Sequence, residues 1–462
     1  MSGKRRKTQQ LQLAFTSESR GEAPMVDAGG TEPSTAKRDT QSPAATGRLM
    51  DAVCSKANLT KALKRVKANK GSAGIDGMTV KELPAYLSEH WPTMRDQLLE
   101  GAYQPRPVKR VEIPKPDGGA RKLGIPTVVD RFIQQAVLQV LQAQWDQSFS
   151  KHSYGFRPGR SAHQAVEAAQ RHVTDGYLWV VDIDLEKFFD RVNHDRLMAA
   201  VARRVEDKRL LRLIRAFLNA GVMEEGLVSP TEEGTPQGGP LSPLLSNLVL
   251  DEMDRELEKR GHRFVRYADD CNIYVRSERA GQRVMESLEG YIKRRLKLKV
   301  NKAKSAVARP RERKFLGFTF TASRQPKRRV AGKALERFMR KVRELTRRTR
   351  GASVATTVRR LAVYLRGWGG YFGFCQTPTV LEEKNSWIRR RLRSLQWQQW
   401  KRGKRRFAAM RRLGVGKALA ARTAGSSHGP WRISASPALS IALPDAYWER
   451  LGLPRLTARS AA

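Results

Sequence analysis

Two short stretches of the chain carry carboxylates in settings that invite chemistry. The first is Asp182-Ile183-Asp184-Leu185-Glu186-Lys187-Phe188-Phe189-Asp190, closing a run from Tyr177 to Asp184 rich in β-branched and aromatic residues. The second is Tyr267-Ala268-Asp269-Asp270, a tight polar turn between the apolar runs around Val265 and Ile273. Adjacent aspartates in a turn are ordinary turn residues, and alone they say little. An aspartate at the tip of another apolar strand changes that reading. If the two strands are neighbours in one sheet, three carboxylates converge on one edge, and only cations can neutralise them. Hard divalent ions such as Mg²⁺ take oxygen ligands and accept water and phosphate in their remaining positions. Two such ions about 4 Å apart bind the attacking hydroxyl and the leaving pyrophosphate of a nucleotidyl transfer. Asp182 and Asp184 compete for the first ligand position, because period-two alternation puts both on one strand face.

The elements that must hold these residues are legible in outline. Helical periodicity starts near Leu49, with Leu59, Leu63 and Val66 on one face, and the glycine-rich segment 71–77 marks a loop. Residues 109–114 and 120–125 predict a β-hairpin around Lys115-Pro116-Asp117-Gly118-Gly119. A helix is predicted over 129–142, with Phe132, Ala136, Val137 and Val140 on one side, then a strand over 177–184 and two short strands within 264–275. Strands and helices in this irregular order predict an α+β domain rather than a βαβ repeat.

Charge points to the partner. The 462 residues hold 88 Lys and Arg against 45 Asp and Glu, a net charge of +43 that would make an isolated compact protein repel itself. A polyanion, nucleic acid first, is therefore expected to bind. Residues 327–462 carry 32 Lys and Arg against 6 Asp and Glu, so well over half of the excess lies in under a third of the chain. Helical runs with basic faces there (residues 335–342 and 388–395) predict a nucleic-acid-binding region. Residues 1–48 read as a disordered tail whose basic start is Lys4 to Lys7. The three cysteines, Cys54, Cys271 and Cys375, are far apart, which excludes a disulfide framework and a zinc module and suits a reducing cytoplasm. No apolar run is long enough to span a bilayer, and no signal core opens the chain. The expectation is a cytoplasmic, nucleoid-associated protein without membrane contact.

Tyr267-Ala268-Asp269-Asp270 resembles the YxDD box of reverse transcriptases, in the form typical of bacterial group II intron proteins, and other blocks follow in that family's order. Residues 114–126 resemble the fingers hairpin and Ser153 to Ser161 the second block. Asp184 to Asp190 is similar to the metal-binding DxxxFFD block, and Gly234 to Pro243 to the block beside the nucleotide pocket. Leu298 to Lys304 and Phe315 to Phe318 resemble the last two, and Leu365 to Phe372 the maturase signature.

The resemblance implies an RNA-directed DNA polymerase and maturase that binds group II intron RNA, assists its splicing and copies it into DNA at a target site from dNTPs. Its fold would be a right hand: a disordered tail (1–48), a helical extension of the fingers (49–107), fingers and palm with an antiparallel sheet (108–326), an α-helical thumb or maturase domain (327–405) and a basic DNA-binding region (406–462). Asp184, Asp269 and Asp270 would hold two Mg²⁺ ions, the family spacing to Asp190 selecting Asp184 over Asp182. Lys115, Arg121, Phe189 and Gln237 would contact the nucleotide, with Phe189 gating the 2′-hydroxyl. Arg157, Arg366, Arg389, Arg390, Arg405 and Arg406 would contact RNA or DNA, although Arg157, like Tyr154, also suits a structural role. With no cysteine after Cys375 and only His428 after His262, no endonuclease domain is expected. Two other readings share these motifs: a maturase with a vestigial polymerase, and a domesticated relative serving phage defence or DNA repair.

Overall fold

The computed structural model describes residues 47–114, 120–224, 227–229, 234, 238–347 and 351–457. Two compact units emerge, each discontinuous in sequence. The first gathers residues up to 161, 183–273 and 282–306; the second gathers 162–182, 274–281 and 307–462. The strands are β1 (Val108–Pro114), β2 (Ala120–Ile125), β3 (Trp179–Ile183), β4 (Val222–Glu224), β5 (Leu227–Ser229), β6 (Arg263–Tyr267), β7 (Asp270–Val275), β8 (Ala306–Ala308), β9 (Phe318–Phe320) and β10 (Arg328–Val330). They form sheets of order β2-β1-β4-β5, β6-β7-β3-β8 and β10-β9, amid many helices, so the architecture mixes helix and sheet without a βαβ repeat.

The expected hairpin is present. β1 and β2 pair antiparallel from Lys109↔Ile125 to Pro114↔Ala120, while β1 runs parallel to β4. Its two feet are tied by one carboxylate. Thr127 caps the helix Val128–Trp145, accepting from Asp130 N at 3.1 Å and donating to Asp130 Oδ2 at 2.6 Å. Asp130, 1 % exposed, also accepts from the Tyr103 hydroxyl at 2.9 Å and from Arg106 N at 3.2 Å. The chain entering β1 and the helix leaving β2 therefore share a buried charge. Burial pushes the Asp130 carboxyl up, and the hydrogen bonds from Thr127, Tyr103 and Arg106 oppose it. That helix runs three residues further at its C-terminal end than its periodicity predicts, because Leu141 and Trp145 continue the buried face.

Behind β6 lies a second buried charge with wider reach. Arg266 and Asp254 are both fully buried, with Nε–Oδ1 at 2.7 Å and Nη2–Oδ2 at 2.6 Å. Arg266 Nη1 also donates to Asn247 Oδ1 at 3.0 Å and to the carbonyl of Ala268 at 2.9 Å. Asn247 in turn donates to the Gly155 carbonyl at 2.9 Å. Asn247, Asp251 and Asp254 lie at i, i+4 and i+7 of the helix Ser242–Lys259, so one helix face presents a buried polar stripe to the strand. The Arg266 backbone completes the contact, donating to His152 O and accepting from Tyr154 N, each at 2.9 Å. Burial works against the guanidinium, but the Asp254 carboxylate outweighs it and holds Arg266 above its ordinary value.

In the second unit, Phe338, Leu361, Leu392, Trp397 and Trp448 join one apolar core built by the helices Gly332–Leu345, Val354–Phe372, Pro378–Gln399 and the short helices after them. The turn Phe315-Leu316-Gly317-Phe318 packs on the helix carrying Leu365 to Phe372. Leu316 and Gly317 have φ of 51° and 84°, Tyr371 donates its hydroxyl to Leu316 O at 2.8 Å, and a Cβ on Gly317 would stand 3.0 Å from the Phe372 ring. Among the described residues no helix is long and apolar enough to cross a membrane.

Removing the guanidinium should leave Asp254 as an uncompensated interior charge. Arg266→Met is expected to lower stability by about 3–5 kcal/mol in urea unfolding, and Arg266→Met with Asp254→Leu should recover part of that loss.

Candidate active site

Asp184 directly follows β3, and its backbone is clamped from the segment Leu298 to Ser305. Its N–H donates to Ser305 Oγ at 3.0 Å and its carbonyl accepts from Asn301 N at 2.8 Å. One step on, Glu186 N donates to Lys299 O at 2.8 Å, and Leu185 bridges antiparallel to Val300. Two sequence blocks 121 residues apart are thus one rail. The Asp184 side chain is partly exposed, with Lys304 Nζ 3.8 Å from Oδ2; Lys304 is well solvated, so this contact is weak. Asp182, its rival, is already matched, since Arg313 Nε and Nη2 reach its Oδ2 at 2.9 and 2.6 Å.

Asp269 and Asp270 sit at the turn joining β6 to β7, and β7 lies beside β3 in the sheet. Ala268 takes φ of 57°, a left-handed conformation costing a residue with a Cβ about 1–2 kcal/mol. The Arg266 donor on its carbonyl helps hold it there. Gly155 presses on the turn from the other side: a Cβ there would stand 2.2 Å from Ala268 N and 2.9 Å from the Tyr267 carbonyl carbon. Only glycine allows this approach.

Strand order meets the condition set for convergence, but full closure does not follow. Among the described residues no three His, Cys, Asp or Glu side chains gather into an ion-sized group. The donor chemistry nevertheless fits hard divalent cations, since Asp184, Asp269 and Asp270 offer only oxygens and none is fully buried, leaving room for water or phosphate ligands.

The glycine-rich block closes around the neighbouring backbone. Gly234, φ 95°, lies where a Cβ would stand 2.8 Å from Phe189 O and 3.0 Å from Asp190 Cα. Its N–H donates to Val192 O at 2.8 Å, and its carbonyl lies 2.6 Å from His194 Nε2. At the other end, Gly238 (φ 136°) would put a Cβ 2.6 Å from Gly124 O, just past the β2 hairpin strand's Leu123. The block thus touches both the Phe189 turn and the hairpin. Phe189 is half-buried, edge-on to Phe188 at 5.2 Å. Arg121 pairs with Ile113 through its backbone. Its side chain, Lys115 and Gln237 lie outside the described residues.

The arginines expected on nucleic acid separate by environment. Arg157 is corrected to a structural role. It is 7 % exposed, and its five N–H groups are taken by Asp146 (side chain and carbonyl) and the carbonyls of Ser150 and Ser153, which leaves no donor for a phosphate. Arg389 pairs with Asp445 at 3.0 Å, Arg390 lies over Trp431, and Arg406 lies over the buried Trp397. Arg366 and Arg405 are exposed. Sequence reasoning missed Asn247, Asp254, Arg266, Asn301 and Ser305. Arg266, a lone charge inside an apolar strand, was the visible signal among them.

Residues 113–320 match the family described as reverse transcriptase (RNA-dependent DNA polymerase), and residues 335–414 match the group II intron, maturase-specific domain. The chain is 34 % identical over 317 residues to Protein YkfC of Escherichia coli (strain K12), covering 60 % of this chain and 82 % of that one. It is 28 % identical over 342 residues to the group II intron-encoded protein LtrA of Lactococcus lactis subsp. cremoris, covering 60 % of this chain and 57 % of LtrA. It is also 31 % identical over 198 residues to the putative COX1/OXI3 intron 1 protein of Saccharomyces cerevisiae, covering 43 % of this chain and 24 % of that one. With a polymerase match followed by a maturase match, and a relative covered over four-fifths of its length, the chain belongs to the family of group II intron reverse transcriptases and maturases, an RNA-directed DNA polymerase of intron splicing and mobility.

Proposed function

We propose that Asp184, Asp269 and Asp270 are the catalytic carboxylates with which this polymerase copies its intron RNA into DNA. The observation that carries the reading is the buttressed turn. A strained Ala268 is held by a buried arginine on one side and a glycine contact on the other, immediately before two aspartates and on a strand adjacent to β3. Such strain suits a backbone whose exact course matters. Family membership implies divalent metal ions. Mg²⁺ suits the all-oxygen donor set, and would lower the barrier by stabilising the attacking 3′-oxygen and the leaving pyrophosphate. The chain's own residues do the rest: Ser305 and Asn301 fix the Asp184 backbone, the Arg266 network fixes the turn, and the Gly234–Gly238 block lets backbone approach the sugar.

In this reading Lys115 and Arg121 hold the triphosphate, Gln237 faces the sugar or base, and Phe189 excludes a 2′-hydroxyl. The chain works as a right hand, with fingers and palm in residues 108–326, a thumb in 327–405 and a DNA-binding region in 406–462. Exposed Arg366 and Arg405 contact intron RNA or target DNA.

Asp269→Asn keeps shape and removes a charge. Primer extension on poly(rA)/oligo(dT) should fall by orders of magnitude, about 10²-fold or more, while intron splicing, performed by the RNA itself, largely survives. Near-normal incorporation sinks the assignment. Ser305→Ala removes both hydrogen bonds between the Ser305 hydroxyl and the Asp184 backbone and should lower kcat about tenfold with little change in dNTP KM.

Salt titration tests the basic region. Intron RNA affinity should fall about 10³-fold between 50 and 200 mM salt if six or more phosphates are neutralised. Arg366→Ala with Arg405→Ala should reduce the log–log slope by about two if each meets a phosphate; an unchanged slope removes both from the contact surface.

A further inference from the structure

Of the nine tryptophans five are buried, Trp179, Trp387 and Trp400 are partly buried, and Trp431 is exposed. Trp91, Trp145, Trp368, Trp397 and Trp448 are each 9 % exposed or less, whereas Trp431 is 42 % exposed. It opens toward solvent from the short helix Pro430–Ile433, in the most basic part of the chain. A solvent-facing indole costs transfer free energy that a buried one would gain, so its retention on the surface asks for a use.

One side of the indole is already occupied. The Arg390 guanidinium carbon lies 4.3 Å from the ring centre, and Arg390 Nη2 donates to the Trp431 carbonyl at 3.3 Å. Arg390 Nε is buried with no hydrogen-bond partner, so this side of the guanidinium is given to the ring rather than to a carboxylate. Ser434 Oγ donates to the same Trp431 carbonyl at 2.6 Å and fixes the backbone that carries the indole. Ring and cation are therefore held before any ligand arrives.

The charge around them is one-sided. Arg389, Arg390 and Arg393 come from one helix, Pro378–Gln399, and Arg432, next in the chain after Trp431, is exposed. Asp445 pairs with Arg389. Arg393 hydrogen-bonds only neutral groups, Ser440 Oγ at 2.9 Å and the Ser434 carbonyl at 3.4 Å. Burial holds Arg393 below its ordinary value, and the charge of Arg389 adds to that. The patch has an excess of cations next to a flat aromatic face, and a phosphate with its base matches both parts.

We propose that Trp431, backed by Arg390, is a stacking platform for one unpaired nucleobase. The inference deepens the nucleic-acid reading of the basic region and rests on it. A duplex cannot use the platform, because its bases are stacked on one another; an unpaired loop base or single strand can. The site therefore gives the basic region a preference for unpaired positions that phosphate contacts alone do not provide.

The test uses the full-length protein, its Trp431→Ala and Trp431→Phe variants, and three probes of equal phosphate number: a hairpin RNA with an unpaired loop, a fully paired RNA duplex and single-stranded DNA. Trp431→Ala should bind the looped RNA or the single-stranded DNA about tenfold more weakly. Whichever of the two weakens identifies the strand that supplies the base. Duplex affinity and the salt slope on every probe should stay unchanged, and Trp431→Phe should retain most of the binding. A 2-aminopurine in the responsive probe should lose fluorescence on binding the wild type and not on binding Trp431→Ala. Unchanged affinity of Trp431→Ala for both unpaired probes overturns the platform. So does an equal loss on the duplex, which would mean the alanine disturbed the surrounding fold. A flat salt dependence of the wild type on all three probes would instead overturn the nucleic-acid reading of the region.

Discussion

One ion pair sets the conditions for everything around the candidate site. Arg266 and Asp254 are completely enclosed, and the guanidinium spends its remaining reach on Asn247 and the Ala268 carbonyl. Burying two charges is expensive unless geometry and further hydrogen bonds recover the loss, and replacing such a pair with apolar side chains often stabilises a protein. Its persistence here is better explained by what it positions. A hydrophobic pair could fill the same space but could not hold a carbonyl oxygen or orient an amide. The left-handed Ala268 needs such an anchor, because its preferred conformations would swing Asp269 and Asp270 elsewhere.

The same logic recurs at lower intensity. Asp130 takes hydrogen bonds from both sides of the hairpin, and Ser305 and Asn301 grip the Asp184 backbone. In each case polar groups brought together by the fold specify where a backbone segment stands, while apolar packing supplies bulk stability. Glycines play the complementary part. Gly155, Gly234 and Gly238 allow backbone-to-backbone approaches that a single methyl group would forbid. Chemistry-bearing residues are thus few, and the residues that aim them are many.

This division explains what was legible in the sequence. Strand alternation, the Asp-Gly turn and helical periodicity report local physics, so the hairpin β1–β2, the helix over Val128–Trp145 and the strands flanking Asp184 and Asp269 follow directly. The positioning network is non-local and has no period. Nothing in the segment around Gly155 indicates that it faces Ala268, and Ser305 looks like any serine after a basic run. For Arg157 the sequence left a nucleic-acid contact and a structural role open, and only the non-local contacts show that it ties down the segment from Asp146 to Ser153.

The rail between Asp184 and Ser305 has a consequence for how the protein comes into being. These partners are separated by 121 residues, so the backbone support of Asp184 does not exist until the ribosome has released a segment synthesised much later. At about 5–20 residues per second that gap is of order 6–24 s. During the interval the first aspartate is on a nascent chain with its hydrogen-bonding groups open to water. The grip on the Asp184 backbone is therefore among the later contacts that a growing chain can make.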